Sequence, residues 1–231
     1  PRTDPLPACQ EPVAGLGSSQ PTVDPLGVTV QAMNSVELTA LLVLATVASF
    51  SPGPNTTLST ALAANLGLRR AMRFVLAVPV GWGLLLSLCA GGLGTLVVAG
   101  PALRWAIQAF GVAYLLWLAW KLARTRQLSE ASADALRVGF VQGVGLQFLN
   151  IKAWLLALAI VAGWVAGRED AAARTLLLVP IMVAYGFVSN LTYAVAGSML
   201  RHWLAHGRRL LIFNRCMSMA LVATAMWILN G

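Results

Sequence analysis

The stretch Ser-Pro-Gly-Pro-Asn at residues 51–55 interrupts an apolar segment that runs from about Val36 to Leu66. As a single helix this segment would be about 46 Å long, whereas the hydrocarbon core of a bilayer is about 30 Å thick. Two prolines around a glycine cannot continue an α-helix, because proline lacks the N–H group and its ring clashes with the preceding turn. The sequence therefore predicts a helix, a break and a second short helix that starts near Asn55.

The composition around this segment is that of a membrane protein. Apolar residues make up 58% of the chain and charged residues 10%, whereas soluble domains have about 45–50% and about 25%. Charges are absent from 38–68, 74–103 and 175–200, and each of these gaps can hold a span of roughly 20 apolar residues. We therefore predict an all-α polytopic membrane protein.

Six apolar segments can be placed along the chain, at about 36–66, 74–98, 103–123, 137–167, 175–200 and 210–229. The fourth is long, like the first, and has polar residues at its middle. A polar linker at about 125–136 separates two repeats, about 36–124 and about 137–230. Three spans per repeat invert the second repeat relative to the first, an arrangement found in transporters whose sites form where broken helices meet. We predict six transmembrane helices in two inverted three-helix repeats, with the first and fourth helices interrupted.

Residues 1–34 have a different composition and contain six of the 11 prolines. Such a segment buries too little apolar surface to repay the entropy of ordering, so we predict a disordered Pro-rich extension before a transporter domain at 35–231. It has no basic start or apolar centre of a signal peptide. We expect residues 1–32 either to be dispensable or to reflect a start assigned upstream of Met33.

The distribution of Lys and Arg predicts the orientation. Eleven of the 16 lie in the loops that follow the first, third and fifth spans, and loops rich in these residues stay in the cytoplasm. This places both termini outside. The basic charge thus reflects topology, and nucleic-acid binding is the weaker interpretation, because the charges lie in short loops between spans rather than in a separate domain.

The first break is a candidate substrate site. The helix after Pro54 presents N–H groups without partners and a positive dipole end, and a substrate carboxylate would sit well near Asn55 and Thr56. Pro52 and Gly53 complete this candidate site. The alternative is that Asn55 is only a helix cap.

The middle of the fourth segment is the second candidate site, because it contains Gln147, Asn150 and Lys152. Polar and charged side chains are energetically costly at the middle of a membrane, so they indicate a function there. Lys152 would attract the carboxylate or gate the path by binding backbone carbonyls at the other break. The alternative is that it extends to an interface. Gln147 and Asn150 would orient an amino group.

Polar residues also repeat along the fifth span. Tyr185, Ser189 and Tyr193 recur every four residues, and Asn190 is adjacent to Ser189. They line a polar pathway or, alternatively, form interhelical hydrogen bonds that serve packing.

Other chemistry finds little support in the sequence. Cys9, Cys89 and Cys216 have no metal-binding or redox spacing. His202 and His206 are four residues apart without a third ligand nearby, so we interpret them as solvated residues at an interface. We predict no metal, no cofactor and no enzymatic activity.

Three motifs together resemble the lysine exporter/homoserine–threonine efflux (LysE/RhtB) family. They are residues 51–55, the run Gly-Val-Ala-Tyr-Leu-Leu-Trp-Leu-Ala-Trp at 111–120, and Phe140, Gly143 and Leu-Asn-Ile-Lys at 149–152. The resemblance covers about 33–231. It implies a six-span exporter of amino acids or related metabolites in the bacterial inner membrane, driven by the proton-motive force. The partners would be a small-molecule substrate and the lipid bilayer, with a homodimer left open.

One position departs from the family pattern. The second motif usually reads Asn-Pro-Lys, and here Ile151 replaces the proline. Isoleucine restores a backbone N–H group and removes the ring clash, so the sequence enforces this break less strongly.

No Asp or Glu falls inside a predicted span, and Glu37 lies at an end. A cationic substrate side chain would want a buried carboxylate, so we favour a neutral amino acid or a related small metabolite. The alternatives are a membrane-embedded thiol-redox carrier, a degenerate structural homologue and a metal-ion exporter of the same architecture.

Overall fold

The structure is a computed structural model that describes residues 33–126, 128, 136, 138–206 and 208–230. Every regular element in this part of the chain is an α-helix, which confirms the predicted fold class. The helices are α1 (Ser35–Phe50), α2 (Pro54–Leu66), α3 (Leu68–Ala90), α4 (Leu93–Ala99), α5 (Pro101–Arg124), α6 (Phe140–Leu149), α7 (Ile151–Trp164), α8 (Ala171–Leu204) and α9 (Arg209–Asn230).

Four of these helices, α3, α5, α8 and α9, are long and apolar enough to cross a membrane alone. The pairs α1/α2 and α6/α7 satisfy the same test only together, which gives up to six spans if each pair counts as one. Each half of the chain thus begins with an interrupted segment followed by long helices, as the sequence predicts.

The first interruption lies between Phe50 and Pro54 and bends the segment by 48°. Gly53 is fully extended, with φ −168° and ψ −176°, and Pro54 is the first residue of α2. Proline is favoured at this position because the first N–H group of a helix has no intrahelical partner. The predicted helix, break and short helix are confirmed.

The second interruption is sharper, with a bend of 67° between α6 and α7. Asn150 alone separates them and has an extended conformation, with φ −94° and ψ 98°. Its N–H group donates to the Gln147 carbonyl (3.3 Å), and its own carbonyl accepts from Ala153 (2.9 Å) to begin α7. The fourth segment is therefore broken although Ile151 stands where the family has proline.

Two spans differ from the predictions in their boundaries. The second span starts at Leu68 rather than 74 and ends at Ala90, and a separate short helix, α4, covers the remainder. The helix ends there because Gly91 and Gly92 follow, and Gly92 adopts φ +99°, a conformation that favours glycine. The fifth span is longer than predicted, since α8 covers Ala171–Leu204. The predicted extension at 1–34 and linker at 125–136 fall largely outside the described residues.

Close helix approach at glycines holds the halves together. A Cβ atom added to Gly81 on α3 would lie 2.6 Å from the Val144 carbonyl oxygen of α6, and one on Gly111 of α5 would collide with the Leu149 carbonyl at the end of α6. Small residues allow such approach in a bilayer, where apolar packing against lipid gives no net preference for one helix partner. Helix α6 is thus in close contact with α3 at Val144 and with α5 at Leu149, directly before the break.

This packing predicts a contrast between two Gly→Ala substitutions. Gly111→Ala must push α5 away from Leu149, so we expect a loss of about 1–3 kcal/mol of stability from overpacking. Gly145→Ala on α6 meets nothing within 4 Å and should be neutral or stabilising by up to about 1 kcal/mol through helix propensity. Thermal unfolding in detergent measures both; equal midpoints for the two variants would contradict the packing.

Candidate functional site

The two breaks meet at a cavity of about 550 Å³, counting the space at its mouth. Residues from α1, α2, α3, α6, α7 and α8 and from both breaks line it. Eight of the residues singled out from the sequence are among them: Gly53, Pro54, Asn55, Thr56, Gln147, Asn150, Lys152 and Asn190.

Two helix N-termini open onto this cavity. Gly53 at the start of α2 has no side chain that could cap the first N–H groups, and Thr56 is engaged with Gly53, whose N–H group donates to its hydroxyl at 3.0 Å. At the start of α7, Asn150 makes no capping hydrogen bond. Uncapped N–H groups and the positive dipole end favour an anion at such places.

The carbonyl groups at the end of α1 are satisfied by side chains from the second half. Ser189 Oγ donates to the carbonyl of Ser49 (2.5 Å) and Tyr193 Oη to that of Phe50 (2.8 Å). Lys152 Nζ lies 3.5 Å from the carbonyl of Ser51. Three consecutive acceptors at the first break therefore have donors supplied by α7 and α8.

Lys152 lines the cavity and forms a hydrogen bond across to the first break. Its Nζ atom donates to Ser51 Oγ at 2.7 Å, and a Cβ atom on Gly53 would be 3.3 Å from that nitrogen. The ammonium group thus lies over the first break, beside the start of α2. It adds a positive charge to the two uncapped N-termini.

A reciprocal amide pair joins the two breaks. Asn55 Nδ2 donates to Gln147 Oε1 at 2.8 Å, and Gln147 Nε2 donates back to Asn55 Oδ1 at 3.2 Å. Gln147 is fully buried and also donates to the Gly143 carbonyl (3.2 Å). Its polar atoms are occupied, so this residue fixes the geometry of the cavity.

Asn150 differs, because its Oδ1 atom is buried and accepts no hydrogen bond from the described residues. The residue is only 6% exposed. Buried polar atoms are almost always paired, and an exception needs an explanation such as a ligand or water. An unpaired carbonyl oxygen in this cavity suits a donor such as an ammonium group.

The remaining polar residues of α8 divide between two roles. Asn190 lines the cavity and accepts a hydrogen bond from the buried Ser59 hydroxyl of α2 at 2.8 Å. Tyr185 is 3.4 Å from the Thr46 hydroxyl of α1, and with Ser189 and Tyr193 it lies outside the cavity lining. Each of these three residues makes an interhelical polar contact with α1. Pro52 is exposed and also lies outside the lining.

Several lining residues are missed by the sequence reasoning. Ser51 belongs to the quoted motif, but only the fold places it under Lys152. Trp82 is one apolar residue within a long apolar helix, and nothing in its spacing distinguishes it. The other lining residues missed are Ala48, Ser49, Val78, Ala153, Leu156 and Gly186.

The other end of α1 is fixed by an ion cluster. Glu37 pairs with Arg168 (3.0 Å) and Arg174 (3.1 Å), and Arg174 also pairs with Asp170 (2.8 Å). The Trp164 indole donates to the Glu37 carbonyl at 3.0 Å. These carboxylates are therefore paired with arginine, away from the cavity.

A family model and several curated proteins match this chain, and all of them are named as translocators or efflux proteins. Residues 46–230 match the model of the LysE type translocator family. Two proteins named cysteine/O-acetylserine efflux protein, from Salmonella choleraesuis and Salmonella typhimurium, are each 30% identical over 179 residues, which covers 77% of this chain and 91% of theirs. The protein of that name from Klebsiella pneumoniae is 28% identical over the same length. No solved structure matches the chain.

The break at Asn150 predicts tolerance to proline at the next position. Ile151 is the first residue of α7, where proline is accepted, and the extended Asn150 suits a residue before proline. We expect the Ile151→Pro variant to insert into the membrane normally. Its free energy of unfolding should differ from that of the wild type by no more than about 1 kcal/mol.

The matched control is Leu155→Pro, one turn later on the exposed face of α7. It removes a hydrogen bond inside the helix and should cost about 3 kcal/mol or more. Membrane-fraction yield and thermal unfolding compare the two variants; loss of folded protein in Ile151→Pro would show that the break is not a helix start.

Proposed function

The chain belongs to the LysE type translocator family, and on that premise we propose that it exports an amino acid with an uncharged side chain, or a related small metabolite, across the bacterial inner membrane. Family membership makes it a multi-pass membrane transporter of small molecules and not an enzyme. It also favours export over a membrane-embedded redox carrier.

The observation that carries the proposal is an asymmetry in hydrogen bonding at the two breaks. The carbonyl groups at the end of α1 have donors from the protein, whereas neither helix that starts at the cavity is capped by a side chain. With the Lys152 ammonium group beside them, the cavity offers donors and positive charge to a carboxylate. In this proposal the carboxylate lies near Lys152, Asn55 and Thr56.

The amino group of the substrate has a matching acceptor. Asn150 lines the cavity, and its buried Oδ1 atom accepts no hydrogen bond from the described residues. This residue lies next to Lys152 at the second break. An α-amino acid carries a carboxylate and an ammonium group on one carbon, so it can engage both groups at once. Gln147 and Asn190 hold the surrounding elements in place through their own hydrogen bonds.

The lack of acidic side chains among the described lining residues favours a neutral substrate side chain. None of the described residues that line the cavity is Asp or Glu, so a cationic side chain would be desolvated without a partner. The Salmonella relatives are named for cysteine and O-acetylserine, two amino acids with short uncharged side chains. Their names support this choice.

We propose the proton-motive force as the energy source, as the LysE/RhtB resemblance implies. Lys152, a tyrosine or protons carried by the substrate would couple export to it. Energised inverted vesicles should accumulate the amino acid from the medium against its gradient, and collapsing the proton gradient should stop this uptake.

Substitution of Lys152 tests the carboxylate site. The chain has two lysines, Lys121 and Lys152, and only the latter lines the cavity. Losing a charge-assisted hydrogen bond worth about 1.5–3 kcal/mol should lower the apparent affinity for the exported amino acid about tenfold or more in Lys152→Met. Lys121→Met, which removes a cation stacked on Trp117, should export normally.

The assay loads cells with a graded series of dipeptide concentrations, measures external amino acids at each load and normalises to the expression level, so that the load giving half-maximal efflux reports the apparent affinity. Equal efflux from wild type and Lys152→Met would contradict the carboxylate role. If wild-type cells release no neutral or basic amino acid above the empty-vector level, the exporter proposal itself fails.

The distribution of Lys and Arg predicts that both termini lie outside the cytoplasm. A C-terminal alkaline phosphatase fusion after residue 230 should be active, and a fusion of green fluorescent protein there should be dark. The reverse result would contradict the predicted orientation.

A further inference from the structure

The cavity has an apolar side that the amino and carboxyl groups of a substrate would not use. It is formed by Val78 and Trp82 of α3, Leu156 of α7 and Gly186 of α8. If the polar groups of the cavity hold the amino acid backbone, the substrate side chain must meet this wall. The residues of the wall then decide which side chains fit.

Trp82 is the largest residue of the wall and is 7% exposed. It follows Val78 by four residues, so both face the cavity from one side of α3. The indole therefore forms the bulkiest part of this apolar wall.

The backbone at Trp82 has little freedom to withdraw, because glycines flank it on both sides. A Cβ atom on Gly81 would lie 2.6 Å from the Val144 carbonyl oxygen of α6, and one on Gly83 would lie 2.8 Å from Val183 Cγ2 of α8. This turn of α3 is thus held between α6 and α8. A larger substrate would have to displace the helix or the indole.

Gly186 provides a second position at which the wall can be changed. A Cβ atom there would be 3.5 Å from Trp82 Cδ1 and 4.0 Å from Pro79, which is ordinary van der Waals contact. An added methyl group would therefore fit and narrow the cavity. A smaller residue at position 82 should therefore enlarge the cavity, and alanine at position 186 should reduce it.

We propose that Trp82, held by the glycines around it and by Gly186 opposite its ring edge, limits the exported amino acids to those with short side chains. This rests on the proposed export of neutral amino acids and specifies which of them are accepted. Size discrimination in an apolar pocket amounts to about 10- to 200-fold per methylene.

Export of a short and a long amino acid by the same cells tests the limit. Cells are loaded with alanyl and leucyl dipeptides, and the ratio of leucine to alanine released is measured. Trp82→Phe and Trp82→Leu should raise this ratio about tenfold or more, and Gly186→Ala should lower it. Gly186→Ala adds a methyl group and leaves no void in the packing, so this variant should fold. It therefore tests the role of the apolar wall even if Trp82→Leu does not fold.

The matched control is Trp154→Leu. Trp154 is also buried, at 4% exposed, and belongs to the same apolar cluster as Trp82, but it lies outside the cavity lining. It should reduce the amount of folded protein without changing the ratio.

The two proposals fail in different ways. If the wild type releases neither amino acid above background, the export function is wrong. If the wild type exports alanine, but the leucine-to-alanine ratio is the same in Trp82→Phe and Gly186→Ala as in the wild type, then the proposed size limit is wrong. The export function is not contradicted by that result. A ratio changed equally by Trp154→Leu also overturns the role of Trp82.

Discussion

A helix broken inside a bilayer leaves backbone N–H and C=O groups that lipid cannot satisfy, and the architecture of this protein depends on how its two breaks meet that constraint. The carbonyl groups of Ser49, Ser51 and Phe50 receive donors from Ser189, Lys152 and Tyr193, which belong to the other half of the chain. The N–H groups at the starts of α2 and α7 receive no side-chain cap. The protein supplies donors to the carbonyl groups of the first break and leaves the N–H groups at both helix starts without a side-chain cap, facing the cavity.

The sequence is sufficient to predict the parts of the fold that local chemistry determines. Residues 51–55 carry two prolines and a glycine, and the break occurs there because no helix can pass through them. The boundary of α3 is less predictable, since apolarity continues beyond Ala90 and only the positive φ of Gly92 ends the helix. Polar residues of the site are recognisable because they are costly in lipid. Trp82 is not recognisable, since its role depends on which way α3 faces after packing.

At the second break, tertiary packing bends the chain although the local sequence contains no helix breaker. Ile151 could continue a helix, yet the chain bends by 67° at Asn150. Gly111 of α5 and Gly81 of α3 bring backbone against the Leu149 and Val144 carbonyl groups of α6. The Asn55–Gln147 pair then fixes the last turn of α6 to the start of α2. A straight helix would have to give up these contacts together, so packing can replace the proline.

The short helix α2 shows how polar pairs specify this arrangement. Along its length Asn55 pairs with Gln147 of α6, Ser59 with Asn190 of α8, and Asn65 with Asn214 of α9, the last pair by two hydrogen bonds of 2.7 and 3.0 Å. Lipid tails are as apolar as leucine, so burial alone does not decide which helices associate in a membrane. Each such hydrogen bond contributes only about 0.6 kcal/mol on average, but an unpaired amide in the same place would be costly. The pairs therefore act mainly by excluding other arrangements, and all three link α2 of the first half to helices of the second.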